Sequence, residues 1–172
     1  QHGIRQLHSI LKAATQNQNS LRNVPTDEQE QIINVFESVV ENAVAERKIV
    51  SGHPDQPLSA SLDSQGLFGP CMGDEQYAAL KVWEQMREVK LECHGRKTFP
   101  ISLTYMSKLE YLDLTCNSIR EIPDEIRRLA SLKCLRLGEN ELSNLPPGIG
   151  KLKNLRALIL ENNLLTSIPP EI

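Results

Sequence analysis

The sequence contains no apolar run long enough to cross a membrane and no excess of one charge. A spanning helix needs about 18 consecutive apolar residues, and a secretory signal needs a basic start before an apolar core; neither pattern occurs here. The 19 basic and 22 acidic residues leave a net charge of -3. Without a concentrated cationic field, we expect neither nucleic acid nor a membrane to be a partner.

Cysteine is scarce, and the motifs of common active sites are missing. The four cysteines, Cys71, Cys93, Cys116 and Cys134, show neither CxxC nor metal-finger spacing, so free thiols are expected. The sequence also has no nucleophile elbow, no glycine-rich phosphate loop and no HExxH pair. It therefore predicts no catalytic residue, no cofactor and no metal, and a protein that is not an enzyme.

What the sequence does contain is an internal repeat of 23 residues. Leucines recur in three registers and asparagine in a fourth: Leu109, Leu132 and Leu155; Leu112, Leu135 and Leu158; Leu114, Leu137 and Leu160; Asn117, Asn140 and Asn163. A proline recurs with the same period, at Pro100, Pro123, Pro146 and Pro169. An apolar residue directly precedes each proline, and another follows three residues later. The unit is LxxLxLxxNxLxxLPxxIxxL, and such a period indicates a solenoid of stacked units.

Each part of the unit has a physical reason. The alternating leucines of LxxLxL predict a short strand that pairs in parallel with its neighbours about 4.8 Å away. The asparagine amide can satisfy backbone groups where the chain leaves the strand, so the asparagines should stack as a ladder. The proline suits the first turn of a short return helix, which buries one apolar face.

Residues 77 to 172 resemble leucine-rich repeats of the 23-residue Ras-group type, above all in the segment LPPGIGKLKNLRALILENNLLTSIPPEI. The resemblance covers a little over half of the chain. It implies an α/β fold, a right-handed leucine-rich repeat solenoid with a parallel concave sheet, and a place among cytoplasmic scaffolds, plant intracellular repeat proteins or bacterial effectors. A small GTPase or another signalling protein is a partner that the resemblance suggests.

We divide the chain into a helical region, residues 1 to 73, and about four repeats, residues 74 to 172, the first irregular and the last truncated. Apolar spacing predicts helices over about 3–15 and 26–48, and a loop over 51–73 that is rich in proline and glycine. Asp74 to Glu88 is predicted as the return helix of the first repeat, with a strand at about Val89 to Cys93. The N-terminal helices form either an α-helical cap on the first repeat or an independent interaction module.

The outward positions of the strands predict the binding surface, because alternate side chains of a strand point to opposite faces. They form three columns on the concave side. The partner-binding candidates are Glu88, Lys90, Glu92, Tyr111, Asp113, Thr115, Arg136, Ile159 and Glu161. Tyr111 and Ile159 are the expected anchors, whereas the alternating charges of Lys90, Asp113 and Arg136 fit either pairing between strands or recognition of a partner.

Cys93 and Cys116 fall at equivalent positions of adjacent repeats, next to His94. They are either close enough to bond or two separate small thiols; one neighbouring histidine does not establish a metal or redox site.

Two functions remain open at this point. The chain is expected to be a protein-binding module of a larger scaffold, signalling or effector protein; alternatively it is the substrate-recognition arm of a larger enzyme, such as a kinase or ubiquitin ligase. It begins at Gln1 and stops inside a repeat, which suggests a fragment. We expect a cytoplasmic location, or delivery into host cytoplasm if it is a bacterial effector.

Overall fold

The computed structural model describes residues 86–172 and, nearer the N-terminus, residues 29, 30, 33, 34 and 37. Those five residues are helical, and Ile33 is buried. The remainder of the two predicted N-terminal helices, the loop over 51–73 and residues 74–85 lie outside the described residues, so the helical cap stays a prediction. No helix in the described ranges is both long and apolar enough to span a membrane.

Within residues 86–172, four short strands form one parallel sheet in chain order. They are β1 (Glu88–Lys90), β2 (Tyr111–Asp113), β3 (Cys134–Arg136) and β4 (Ala157–Ile159). Each strand pairs with the equivalent residues of the next, Val89 opposite Leu112 and Leu112 opposite Leu135. Neighbouring strands are thus offset by one 23-residue unit, which confirms the parallel solenoid that the repeat predicts.

Three short 3-10 helices return the chain from the end of one strand to the start of the next. They span Ile101–Tyr105, Asp124–Arg128 and Pro147–Lys151, and we call them the return helices. A proline with extended backbone, Pro100, Pro123 or Pro146, caps the start of each. The repeated proline therefore stands just before the helix rather than in its first turn, where its fixed φ sets the entry of the chain.

The core lies between the sheet and the return helices and is built from the repeated apolar positions. Leu112 and Leu135 from the strands and Leu103 and Ile126 from the return helices have no exposed surface. In the last repeat the equivalent residues Leu158 and Leu160 are only half-buried. A leucine that loses all contact with water contributes roughly 1.5–3 kcal/mol, so this column of side chains is a main source of stability.

The asparagines form the predicted ladder. The side-chain amide of Asn140 donates to the carbonyl of Leu137 in its own repeat at 3.1 Å and to that of Leu114 in the preceding repeat at 2.9 Å. Its side-chain oxygen accepts the N–H of Ile119 at 3.0 Å. Asn117 and Asn163 make equivalent contacts. One side chain thus satisfies backbone groups of two repeats where strand pairing ends.

The residue just before each ladder position has left-handed backbone. The φ angles are 59° at Cys93, 58° at Cys116, 54° at Glu139 and 55° at Asn162. Non-glycine residues rarely adopt this conformation, and its recurrence at one register shows that the turn geometry imposes it.

Two predicted boundaries are wrong. Strand β1 spans Glu88–Lys90 rather than Val89 to Cys93, because Glu88 pairs with Tyr111 and the chain turns at Glu92. The predicted helix Asp74 to Glu88 cannot extend to its stated end, since Met86 and Arg87 are not helical and Glu88 is already in the sheet.

Candidate partner-binding surface

The outward-facing residues of the sheet are arranged in the columns that the repeat predicts. The strand register aligns Glu88, Tyr111, Cys134 and Ala157 in one column and Lys90, Asp113, Arg136 and Ile159 in the next. Glu92, Thr115, Gly138 and Glu161 follow the strands at equivalent positions. We call this set the concave face. Its role as a binding site stays a prediction, whereas the juxtaposition of its side chains is a structural fact.

A buried carboxylate organises the middle of the concave face. The side chain of Asp113 has no exposed surface, and one of its oxygens, Oδ2, lies 3.2 Å from the Arg136 guanidinium. The same oxygen accepts the Tyr111 hydroxyl at 3.0 Å, while Oδ1 accepts the backbone N–H of Thr115 at 3.0 Å. Removing this charge from water would be costly without partners, and these contacts compensate for the loss.

Tyr111 is held in place rather than left exposed. Its hydroxyl donates to Asp113 and accepts from Arg136 at 3.4 Å, and the Lys90 ammonium lies 5.7 Å from the centre of its ring. Burial raises the pKa of the Tyr111 hydroxyl, and the hydrogen bond to Asp113 acts in the same direction against the opposing effect of Arg136. The hydrogen bond to Tyr111 and the charge of Asp113 raise the pKa of Arg136.

The alternating charges of Lys90, Asp113 and Arg136 had two interpretations, pairing between strands or recognition of a partner. The structure shows one pair between strands. Arg136 on β3 reaches Asp113 on β2. Lys90 pairs with Glu88 on its own strand at 2.7 Å, and this hydrogen bond is the main reason that the pKa of Lys90 is raised. The buried Asp113 carboxylate thus positions Tyr111 and Arg136, which are half-exposed.

The last strand gives the concave face a different character. Ala157 and Ile159 are half-buried apolar residues, and Glu161 beyond them is exposed. The Glu161 side chain passes over Gly138, where an added Cβ would lie 2.9 Å from Glu161 Oε1. This role of Gly138 was not predicted, although a glycine in a strand column is a signal for close approach of another group.

A second charged row borders the sheet and was also missed. The residues immediately before the four strands are Arg87, Glu110, Lys133 and Arg156. Glu110 contacts both Arg87 and Lys133 at 2.6 Å, and the bond to Lys133 is the main cause of its lowered pKa. We call these four residues the amino-edge row. The spacing of 23 residues between opposite charges was the sequence signal for it.

Within the described part of the chain, no group of three or more His, Cys, Asp and Glu side chains could hold a metal ion. The concave face offers hydrogen bonding by Arg136 and Tyr111, negative charge from the exposed Glu92 and Glu161, and apolar contact at β4.

Comparisons with known proteins agree on the architecture. A family model described as a leucine-rich repeat region matches residues 71–172. A solved leucine-rich repeat protein from Leptospira interrogans is 29% identical with a TM-score of 0.51, over 58% of this chain and 24% of that one. A plant receptor kinase ectodomain from Arabidopsis thaliana, solved in complex with CASPARIAN STRIP INTEGRITY FACTOR 2, is 37% identical with a TM-score of 0.48, over 54% and 12%.

One chain of the BIR3–SERK2 complex from Arabidopsis thaliana is 28% identical with a TM-score of 0.45, over 54% of this chain and 53% of that one. No curated protein matches the sequence. The match to the Leptospira protein spans 24% of the length of that protein.

Proposed function

This chain belongs to the leucine-rich repeat family, and we propose that it binds a protein partner on its concave face. Domains of this family are generally protein-interaction modules. The observation that carries the proposal is the buried Asp113 carboxylate, which fixes Tyr111 and Arg136 on the surface of the sheet.

Preorganisation is the physical reason that this arrangement favours binding. A free arginine or tyrosine loses rotamer freedom when it contacts a partner, at about 0.5–1.5 kcal/mol for each immobilised side chain. Here the hydrogen bonds to Asp113 already restrict both side chains. Tyrosine and arginine are also the residues that most often carry binding energy in interfaces.

The chemistry of the face suggests a mixed partner surface. Arg136 offers donors suited to a carboxylate or carbonyl group, and Ile159 with Ala157 offers an apolar area two strands' width away from Tyr111. The exposed carboxylates of Glu92 and Glu161 add an acidic rim. A partner with a central polar contact, one apolar side chain and peripheral basic groups would complement it.

The finer aspects of function are part of the same proposal. We propose that the module acts in the cytoplasm, without catalysis of its own, as part of a larger scaffold, signalling or effector protein. The resemblance in repeat type supports this proposal.

We call the contacts of Asp113 with Tyr111, Thr115 and Arg136 the Asp113 network. The test is capture of partners by a variant altered only outside it. The variant Glu92→Lys, Ile159→Glu, Glu161→Lys changes one half-buried residue of β4 and two exposed residues that follow β1 and β4. The matched control is Glu121→Lys, Glu171→Lys, two exposed residues outside the concave face whose substitution shifts the net charge in the same direction. Circular dichroism first checks that both variants fold.

A protein retained by the wild type should then be purified and its affinity for the wild type, the control and the concave variant measured directly. We expect a loss of at least about tenfold, or 1.4 kcal/mol, for the concave variant. Equal affinity for the concave variant and the wild type would contradict the proposal and would direct attention to the N-terminal residues or the return helices.

A further inference from the structure

The cysteines Cys93 and Cys116 occupy equivalent places on neighbouring turns of the solenoid. Each follows a strand of the sheet, each precedes a ladder position, and their φ angles are 59° and 58°. The backbone N–H of Cys93 donates to Thr115 O at 3.0 Å, and that of Cys116 donates to Gly138 O at 3.0 Å. Because φ and the backbone hydrogen bonds match, the two residues lie in register on neighbouring turns, about one strand spacing apart.

We propose that Cys93 and Cys116 form a dithiol site that a small-molecule disulfide oxidises to a reversible intramolecular disulfide. The described structure contains both as free thiols, Cys93 exposed and Cys116 half-exposed. The two side chains are near enough that hydrogen bonding to Cys116 raises the pKa of the Cys93 thiol. Strand spacing of about 4.8 Å falls inside the range of Cα separations that disulfides bridge.

The chemistry needs one oxidant, and oxidised glutathione serves as the probe. The Cys116 thiolate attacks one glutathione sulfur, forms a mixed disulfide and expels a glutathione thiolate. Cys93 then loses its proton to solvent, attacks the Cys116 sulfur and expels the second glutathione thiolate. Two protein thiols are oxidised, and one glutathione disulfide is reduced to two thiols.

The electrostatics assign the order of attack and predict a pH dependence. The hydrogen bond to Cys116 is the main cause that raises the pKa of Cys93 to about 11, with burial and the nearby charge of Glu92 contributing. Cys93 is therefore protonated at neutral pH and suits the resolving step. Once Cys116 is in the mixed disulfide, this hydrogen bond is lost and the pKa of Cys93 falls toward its ordinary value. Since only the thiolate attacks, both steps should become faster as the pH rises above neutrality.

The experiment incubates the full chain with mixtures of reduced and oxidised glutathione under native conditions, followed by acid quench, alkylation and peptide mass mapping. We expect one peptide pair that joins Cys93 to Cys116, lighter by two hydrogen atoms than the reduced pair, and reversed by excess reduced glutathione. Cys134→Ser and Cys71→Ser should leave it unchanged. Cys93→Ser should instead accumulate glutathione on Cys116.

Folding provides the decisive control. In denaturing urea the preference should fall by at least about tenfold, since the native backbone supplies the effective concentration of the two thiols. Glutathione that stays on Cys116 of the wild type, or links distributed among the cysteines under native conditions, would overturn the proposal.

Discussion

The asparagine ladder and the concave face differ in how their polar groups are used. Asn117, Asn140 and Asn163 repeat the same contacts from turn to turn, whereas the Asp113 network occurs once in the described residues and joins β2 to β3. The ladder satisfies backbone groups at the ends of successive strands, and asparagine therefore recurs in the three units after the first, in which His94 stands at this position. The network restricts side chains of one site. Contacts that repeat in successive units stabilise the solenoid, whereas a polar network that departs from the repeat indicates where function is expected.

The largest expected effect comes from the ladder. Asn140→Ala removes the donor to Leu114 and Leu137 and the acceptor of Ile119, which leaves buried backbone groups unsatisfied. We expect a loss of about 3 kcal/mol in the free energy of unfolding, measured by urea denaturation.

Two matched substitutions sharpen this prediction. Asn163→Ala should cost about 1 kcal/mol, because Asn163 is less buried and water can replace its contacts. Asn154→Ala removes one exposed bond to Ala130 O and should cost less than about 0.5 kcal/mol. Equal losses for all three would show that the ladder contributes no more than surface amides.

The Asp113 network should contribute less to stability. Asp113→Asn keeps the size and one acceptor oxygen but removes the charge that pairs with Arg136. We expect a loss of about 1–2 kcal/mol in urea unfolding, together with weaker partner binding. Glu88→Gln, in the exposed pair with Lys90, is the control and should change stability by less than about 0.5 kcal/mol. A loss as large as that of Asn140→Ala would remove the distinction between scaffold and site.

The amino-edge row should have the smallest effect, visible mainly as a pH dependence. The bond to Lys133, and then that to Arg87, lowers the pKa of Glu110 below its ordinary value of 4.5. A lowered folded-state pKa stabilises the protein above 4.5, and this stabilisation disappears as the pH falls through the folded-state value.

The check is the urea midpoint of wild type and Glu110→Gln from pH 7 downward. The two curves should differ at pH 7 and converge below pH 4.5. High salt should reduce the difference, because the groups are exposed and screened. Parallel curves across the whole range would show that the row contributes nothing measurable.

The same contrast explains what could be predicted from the sequence. The core leucines, the asparagine ladder and the strand register follow from periodicity, and the structure confirms them. Strand ends were less predictable, because strands of three residues leave little pattern at their limits. The repeated proline was predicted in the first turn of the return helix and instead lies just before it, because the ends of a five-residue helix leave equally little pattern.

The contacts of the concave face could be predicted only in part. The columns were predictable, but whether Asp113 pairs with Arg136 or faces a partner depends on burial and side-chain rotamers, which spacing alone does not determine. Tyr111 was expected to be an exposed anchor, and its hydrogen bonds to Asp113 and Arg136 could not be seen in the sequence. The prediction that these residues bind a partner awaits the capture experiment.

The left-handed residue before each ladder position has a consequence for engineering the chain. Glycine and asparagine adopt this conformation at the lowest cost, and Asn162 already does so, whereas Cys93, Cys116 and Glu139 do so against their intrinsic preference. Glycine at residue 139 would therefore relieve a local backbone cost that the folded chain now bears. A string of identical repeats designed from this unit would have asparagine or glycine at that position in every copy.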